Sequence, residues 1–227
     1  MSAVEAFLRA VDRAWRSPAN TRTRLRIIGS TALMLQADYT RGTKDSDVLE
    51  TDALSKQTQD SLLQIAGPGS VLHQRHKLYL DIVQNGLPFL PQIPSFHLLP
   101  ELNGSLRQIE IEVLDIVDVV VSKLKRFSAH DQSDISAMVE KGLVEQPRLI
   151  ARFRSAVDVY GMDARCGDLP RYVRNLHRVE RDMFGVPETD IELPPWSRMS
   201  RRASRGTLRA AARIFLARPL LHCACAH

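Results

Sequence analysis

Two aspartates two positions apart, Asp45 and Asp47 in Arg41-Gly42-Thr43-Lys44-Asp45-Ser46-Asp47-Val48, follow closely on Ile27-Ile28-Gly29-Ser30-Thr31-Ala32-Leu33. If Asp47-Val48-Leu49 belongs to a strand, its two-residue period sends both carboxylates to one face. Hard oxygens so placed suit magnesium or manganese, and magnesium is normally held by one or two carboxylates while substrate phosphates and water complete its shell. Two such ions roughly 3.5–4 Å apart can clamp the attacking and leaving oxygens of an in-line phosphoryl or nucleotidyl transfer.

The elements around this pair must do the positioning. Leu25-Arg26-Ile27-Ile28 reads as a short strand and the run from Thr31 as a helix, which leaves Gly29 and Ser30 at the bend between them. Glycine lets backbone approach a ligand, serine supplies a hydroxyl, and the helix start offers free N–H groups to an anion such as a triphosphate. Each piece also has an ordinary explanation: an Asp-x-Asp is often a solvated turn, and Gly-Ser before a helix is often a cap. Their succession in strand-turn-helix-strand order is what points to chemistry.

A second line comes from the helix expected from Ile116. On a helical wheel Ile116, Val119, Val120, Leu124 and Phe127 form the apolar face, and Lys123 falls inside that arc. A lysine there must snorkel to water or meet an anion. In the next helix Asp131 and Asp134 share a face with Ile135 and Met138. Either Asp131 caps its helix, Asp134 complements the dipole and Lys123 snorkels, or Lys123 contacts nucleotide phosphates and one aspartate fixes it. Asp81, in the apolar strand Leu78-Tyr79-Leu80-Asp81-Ile82-Val83, is the expected third metal ligand, because an unpaired carboxylate there would be costly. Glu110 and Glu112 are the next candidates, although their alternation with Ile109, Ile111 and Val113 also fits a solvated strand face.

The 227 residues can bury a full core, and 44% hydrophobic and 25% charged residues are ordinary for a globular protein. Helix is expected over residues 4–15, before the break Ser17-Pro18-Ala19-Asn20, and over 54–65, stopped by Gly67-Pro68-Gly69. The Pro-rich 88–100 reads as an extended loop. From Asp115 the texture is helical: 116–127, 131–141, 147–160 and 169–184, with an extended stretch over 186–196. Strands mixed with helices and then helices alone give an α+β class. The expected parts are a lobe over 1–114 with a mixed sheet and flanking helices, a helical lobe over 115–196 and a basic, poorly ordered tail over 197–227. No apolar run approaches the ~20 residues of a spanning helix, no signal peptide is apparent and reduced cysteines are expected, so a cytoplasmic location is the default.

These residues resemble the minimal nucleotidyltransferases of the polymerase-β superfamily, and within it the AbiEii-like toxin branch and related uncharacterised bacterial proteins. The likeness covers about residues 27–139. Gly29-Ser30 and Asp45-Ser46-Asp47 match the family's turn and acid pair, Arg41 and Thr43 its preceding Arg-x-Thr, and Lys123 with Asp131 and Asp134 its later lysine and aspartates. The interval from Gly29-Ser30 to Asp45 is long for the superfamily, and the third acid is less clearly marked. The resemblance implies a nucleotidyltransferase-like fold and transfer of a nucleoside monophosphate from an NTP to a hydroxyl. It places magnesium on Asp45 and Asp47, the nucleotide on Gly29, Ser30, Arg41, Thr43 and Lys123, and Asp131 or Asp134 behind Lys123. In the toxin branch the acceptor can be the 3′ end of a tRNA, and an antitoxin protein restrains the enzyme.

The net charge of +5 belongs to the tail: seven arginines lie beyond Glu192, and without them 24 basic residues face 26 acids. Arg198 to Arg218 could form an amphipathic helix that grips RNA phosphates or an anionic membrane, or be a disordered appendage. His73 and His76 have no partner at ligand spacing and read as surface or core histidines. The rival to catalysis is a non-catalytic module on the same fold that binds nucleic acid or protein.

Overall fold

The computed structural model describes residues 2–17, 21–162 and 164–195. The basic tail, and the terminal cluster of His222, Cys223, Cys225 and His227, lie outside these residues, as do 18–20 of the expected break. The elements in order are α1 (Ala3–Ala14), β1 (Thr23–Ile27), α2 (Gly29–Gln36), β2 (Asp45–Leu49), α3 (Lys56–Ala66), α4 (Val71–His76), β3 (Tyr79–Val83) and β4 (Phe96–Leu98). There follow α5 (Pro100–Asn103), β5 (Ile109–Leu114), α6 (Ile116–Lys123), α7 (Ala129–Glu140), α8 (Gln146–Gly161) and α9 (Leu169–Val179). A 3-10 turn, Ala164–Asp168, precedes α9 and a π turn, Glu180–Phe184, follows it.

The five strands form one mixed sheet in the order β3-β2-β1-β5-β4. β1 runs antiparallel to β2 and parallel to β5, β2 is parallel to β3, and β4 is antiparallel to β5. Strict alternation gives the sheet two unlike faces. Leu25, Ile27, Val48, Leu80, Ile109, Ile111 and Val113 are buried in one hydrophobic cluster that continues through α1 and into α8 and α9. On the other face Arg24 and Arg26 meet Glu110 and Glu112: Arg24 Nε lies 2.8 Å from Glu110 and Arg26 Nε 2.9 Å from Glu112. These two glutamates are therefore committed to arginines, and neither lines the cleft described below.

Local chemistry explains most boundaries. α1 starts with a capping box in which the Ser2 and Glu5 side chains exchange bonds with each other's backbone N–H. α3 begins at Lys56 rather than at 54, because the Ser55 side chain caps it. The Pro-rich stretch expected to be a plain loop contains β4, and Pro100 opens α5 as its first residue. The helix expected over 116–127 ends at Lys123, and Phe127 takes a left-handed φ of 52° that redirects the chain into α7. The last expected helix is α-helical only to Val179 before its π turn. Residues 186–194 run without regular structure over the body, held where Thr189 N–H and its hydroxyl donate to the buried Glu180.

Candidate active site

β1 ends at Ile27, and the chain turns through Gly29, whose φ of +66° is the left-handed conformation that glycine adopts freely. α2 then starts at once. Its N-cap residue, Ile28, offers no side-chain bond, so the first N–H groups of the helix have no cap. An uncapped helix start combines free donors with the positive end of the macrodipole. It opens into a cleft of about 620 Å³ lined by Gly29, Ser30, Arg41, Thr43, Asp45, Asp47, Lys123, Arg126, His130 and Asp131, among others.

One wall of the cleft is acidic. β2 carries Asp45 and Asp47 on the same face, as its period requires, with Ser46 between them turned inward and fully buried. The Thr43 hydroxyl donates to Asp45 Oδ1 at 2.8 Å. Burial first, and then the neighbouring charges of Asp45 and Asp81, raise the Asp47 carboxyl to about pKa 6. Asp81 is the registered partner of Asp47 across the β2–β3 pair. It is not buried as expected: β3 is an edge strand and Asp81 is exposed, so no desolvation cost marks it out. Among the described residues no three His, Cys, Asp or Glu side chains are gathered closely enough to hold a metal ion by themselves.

The opposite wall is cationic and tightly braced. Lys123, with 5% of its side chain exposed, does not snorkel: its Nζ lies 2.7 Å from Asp134 Oδ2 and 3.3 Å from Asp131 Oδ1. It also donates to Ser30 Oγ at 3.0 Å. Asp134, fully buried, accepts further from the Ser30 hydroxyl at 2.8 Å, the Tyr39 hydroxyl at 2.6 Å and Arg41 Nη1 at 2.5 Å. Burial alone would raise the Asp134 pKa, yet the bonds from Lys123, Tyr39 and Arg41 hold it below the usual carboxylate range. Asp131 is likewise lowered against its burial, chiefly by Arg126, Ser128 and Lys123. Arg126 grips it in a two-pronged contact at 2.8 and 2.9 Å.

Both readings of Asp131 hold at once. Ser128 is the N-cap of α7, and Asp131 returns a bond to the Ser128 N–H as the second half of a capping box while also holding Lys123. The structure thus gathers Gly29, Ser30, Arg41, Thr43, Asp45, Asp47, Lys123 and Asp131 around one cleft, with Asp134 behind them and Asp81 beside the acid pair. Tyr39 and Arg126 were not among the expected residues. His73 and His76 serve elsewhere: His73 Nδ1 accepts from Gly69 N–H, and the His76 ring packs on Phe7.

Beyond Pro88 a second recess of about 640 Å³ continues along the sheet, lined by Arg26, Glu50, Phe96, Glu112 and Tyr160, among others. Its Arg26 is already shared between Glu112 and the face of Phe96. Among the described residues no uncapped helix start opens into it, unlike the first cleft.

A mixed sheet with flanking helices, bearing a Gly-Ser bend, an acid pair and a braced lysine, is the arrangement of a nucleotidyltransferase-like fold. Residues 6–170 match the model of a family described as nucleotidyltransferase of unknown function (DUF6036), and the chain belongs to that family. No curated protein and no solved structure matches it. Among the described residues no helix is long and apolar enough to cross a membrane.

Proposed function

We propose that this protein transfers a nucleoside monophosphate from an NTP to an acceptor hydroxyl, with magnesium or manganese as cofactor. One observation carries the reading: two same-face carboxylates stand directly beside an uncapped helix start. The donor set fits the metal. Hard oxygens cluster there, and Asp47, raised first by burial and then by the neighbouring charges of Asp45 and Asp81, carries a negative charge that a cation would stabilise. A divalent cation bound by Asp45 and Asp47 would supply Lewis-acid polarisation of the triphosphate, its remaining positions filled by phosphate and water.

The other roles fall to the chain itself. The N–H groups that begin α2, with Gly29 keeping side-chain bulk away, receive the triphosphate. Lys123 and Arg41 face the oxygens that gain charge as the acceptor oxygen bonds to the α-phosphorus, the bond to the bridging oxygen breaks and pyrophosphate departs. The acceptor's proton passes to the acidic wall. Asp131 and Asp134 orient Lys123, and Asp81 adds negative charge beside Asp47.

The finer reading takes an RNA 3′ hydroxyl, such as that of a tRNA, as acceptor, in a toxin of the AbiEii-like kind restrained by an antitoxin. Its support is the resemblance in the turn, acid pair and lysine together. Incubation with each labelled NTP, magnesium and total RNA, resolved on a gel, tests it: the wild type labels RNA, and the double variant D45N/D47N does not. Labelling that persists in the double variant rejects the catalytic assignment.

A further inference from the structure

At the opposite end of β1 from the cleft lies a recess of about 470 Å³ lined by Arg9, Asp12, Arg13, Arg16, Ser105, Arg107 and Gln108. Four arginines in one recess are unexpected in a chain whose charge, leaving out the seven arginines after Glu192, is slightly acidic. The apolar stripe of α1, with Val4, Phe7, Leu8 and Val11 fully buried, fixes which side of the helix turns outward. Arg9 and Arg13 stand one turn apart, and Arg16 follows just beyond the helix end.

Among the described residues Asp12 is the sole acid lining this recess, and both its oxygens are already engaged. Its carboxylate accepts the backbone N–H groups of Arg107, Gln108 and Ile109 at 2.7–3.2 Å. Arg16 donates to the carbonyls of Arg13 and Trp15, an ordinary way to complete a helix C-terminus. That explanation does not extend to the others. Arg9 reaches Ser105 with one nitrogen while its Nε is buried without a hydrogen-bond partner, and Arg107 stands exposed on the facing loop. The Arg9 guanidinium thus spends only one of its nitrogens on a protein acceptor, and Arg107 offers its fork to the recess.

From these features we infer that the recess binds the phosphodiester backbone of the acceptor RNA, an inference that rests on the RNA reading above and extends it. Forked guanidiniums match phosphate oxygens, and no apolar or aromatic platform in the recess calls for a base or a peptide. The five residues of β1, at ~3.3 Å each, separate it from Gly29 by roughly 16 Å or more. At ~3.4 Å per stacked nucleotide, about five or more nucleotides of a strand whose 3′ end occupies the cleft would bridge that gap. The recess is thus a backbone grip that sorts long acceptors from free nucleosides.

The test is fluorescence anisotropy of the full chain with a 5′-labelled single-stranded RNA of about 16 nucleotides, without NTP, over a salt series. R13Q/R107Q is expected to lower affinity about tenfold near physiological salt and to flatten the log–log salt slope by about 1.4, as loss of two phosphate contacts requires. R13K/R107K retains most binding. Binding of ATP with magnesium at the cleft, followed by calorimetry, stays unchanged in R13Q/R107Q, with melting temperature as the control for folding. Unchanged RNA affinity and slope in R13Q/R107Q, equal losses in the lysine and glutamine variants, or no RNA binding by the wild type would each overturn the inference. D45N/D47N separates it from the catalytic reading, since that variant loses transfer and still binds RNA at the recess.

Discussion

Gly29 lies so close against Asp47 that a Cβ placed on it would stand 2.6 Å from Asp47 Oδ2. A side chain at position 29 would therefore push the carboxylate on β2 aside. G29A is expected to cost about 2 kcal/mol or more, from the left-handed φ and the displaced carboxylate together. It also lowers nucleotidyl transfer disproportionately. Chemical denaturation and initial rates check both, and a G29A protein of wild-type stability would show that the contact relaxes freely.

The Asp47 carboxyl, raised to about pKa 6 against an ordinary 3.8, makes the folded state hold more protons than the unfolded one between those values. Stability from this group accordingly falls as pH rises through that window and stays reduced above it. D47N removes the charge, so it should be more stable than the wild type by about 1–3 kcal/mol at neutral pH, the difference closing below about pH 4. Manganese binding should release a proton near pH 5.5 in the wild type and not in D47N, measured by calorimetry in buffers of different ionisation enthalpy.

Tyr39 and Asp134 form the rear of the cationic wall. Burial and the bond to Asp134 push the Tyr39 phenol up to about 12, so it remains a donor throughout the neutral range. Y39F should cost about 1 kcal/mol and raise the KM for NTP modestly, by an amount constant between about pH 6 and 9. D134A removes the shared acceptor of Lys123, Arg41, Tyr39 and Ser30 and is expected to destabilise by about 3–5 kcal/mol. Because the Asp134 pKa is lowered, its contribution is present at neutral pH and lost as pH falls below the ordinary carboxylate range. The wild-type-to-D134N stability gap should narrow correspondingly in acid.

Asp118, fully buried on α6, accepts from Ser95 N–H at 2.8 Å and from Arg152 of α8 at 2.5 and 2.6 Å. D118A leaves Arg152 without its carboxylate and should destabilise by about 3–5 kcal/mol. Asp118 lines neither cleft wall, so kcat at temperatures where the variant remains folded should stay close to the wild-type value.

Much of this arrangement is legible from residue order. Alternation marked the faces of β2 and β5, and the misfit of Lys123 with its apolar arc called for either snorkelling or an anion, of which the structure shows the anion, Asp134. The rest depends on tertiary closure. Tyr39 sits between α2 and β2, where no period applies, and meets Asp134 across 95 positions. Arg126 follows the end of α6, where the turn toward the left-handed Phe127 invalidates a helical wheel. The burial expected of Asp81 is not found, because an apolar strand looks the same in sequence whether it is central or at an edge. β4, α4 and α5 span 3, 6 and 4 residues, too few to display a period.

The dual use of Asp131 has a mechanical consequence. One carboxylate both initiates α7 and pins the ammonium that faces the acid wall, so the opening turn of that helix cannot fray without scattering the site's cations. Assembly of the cationic wall and formation of the first turn of α7 are thereby coupled.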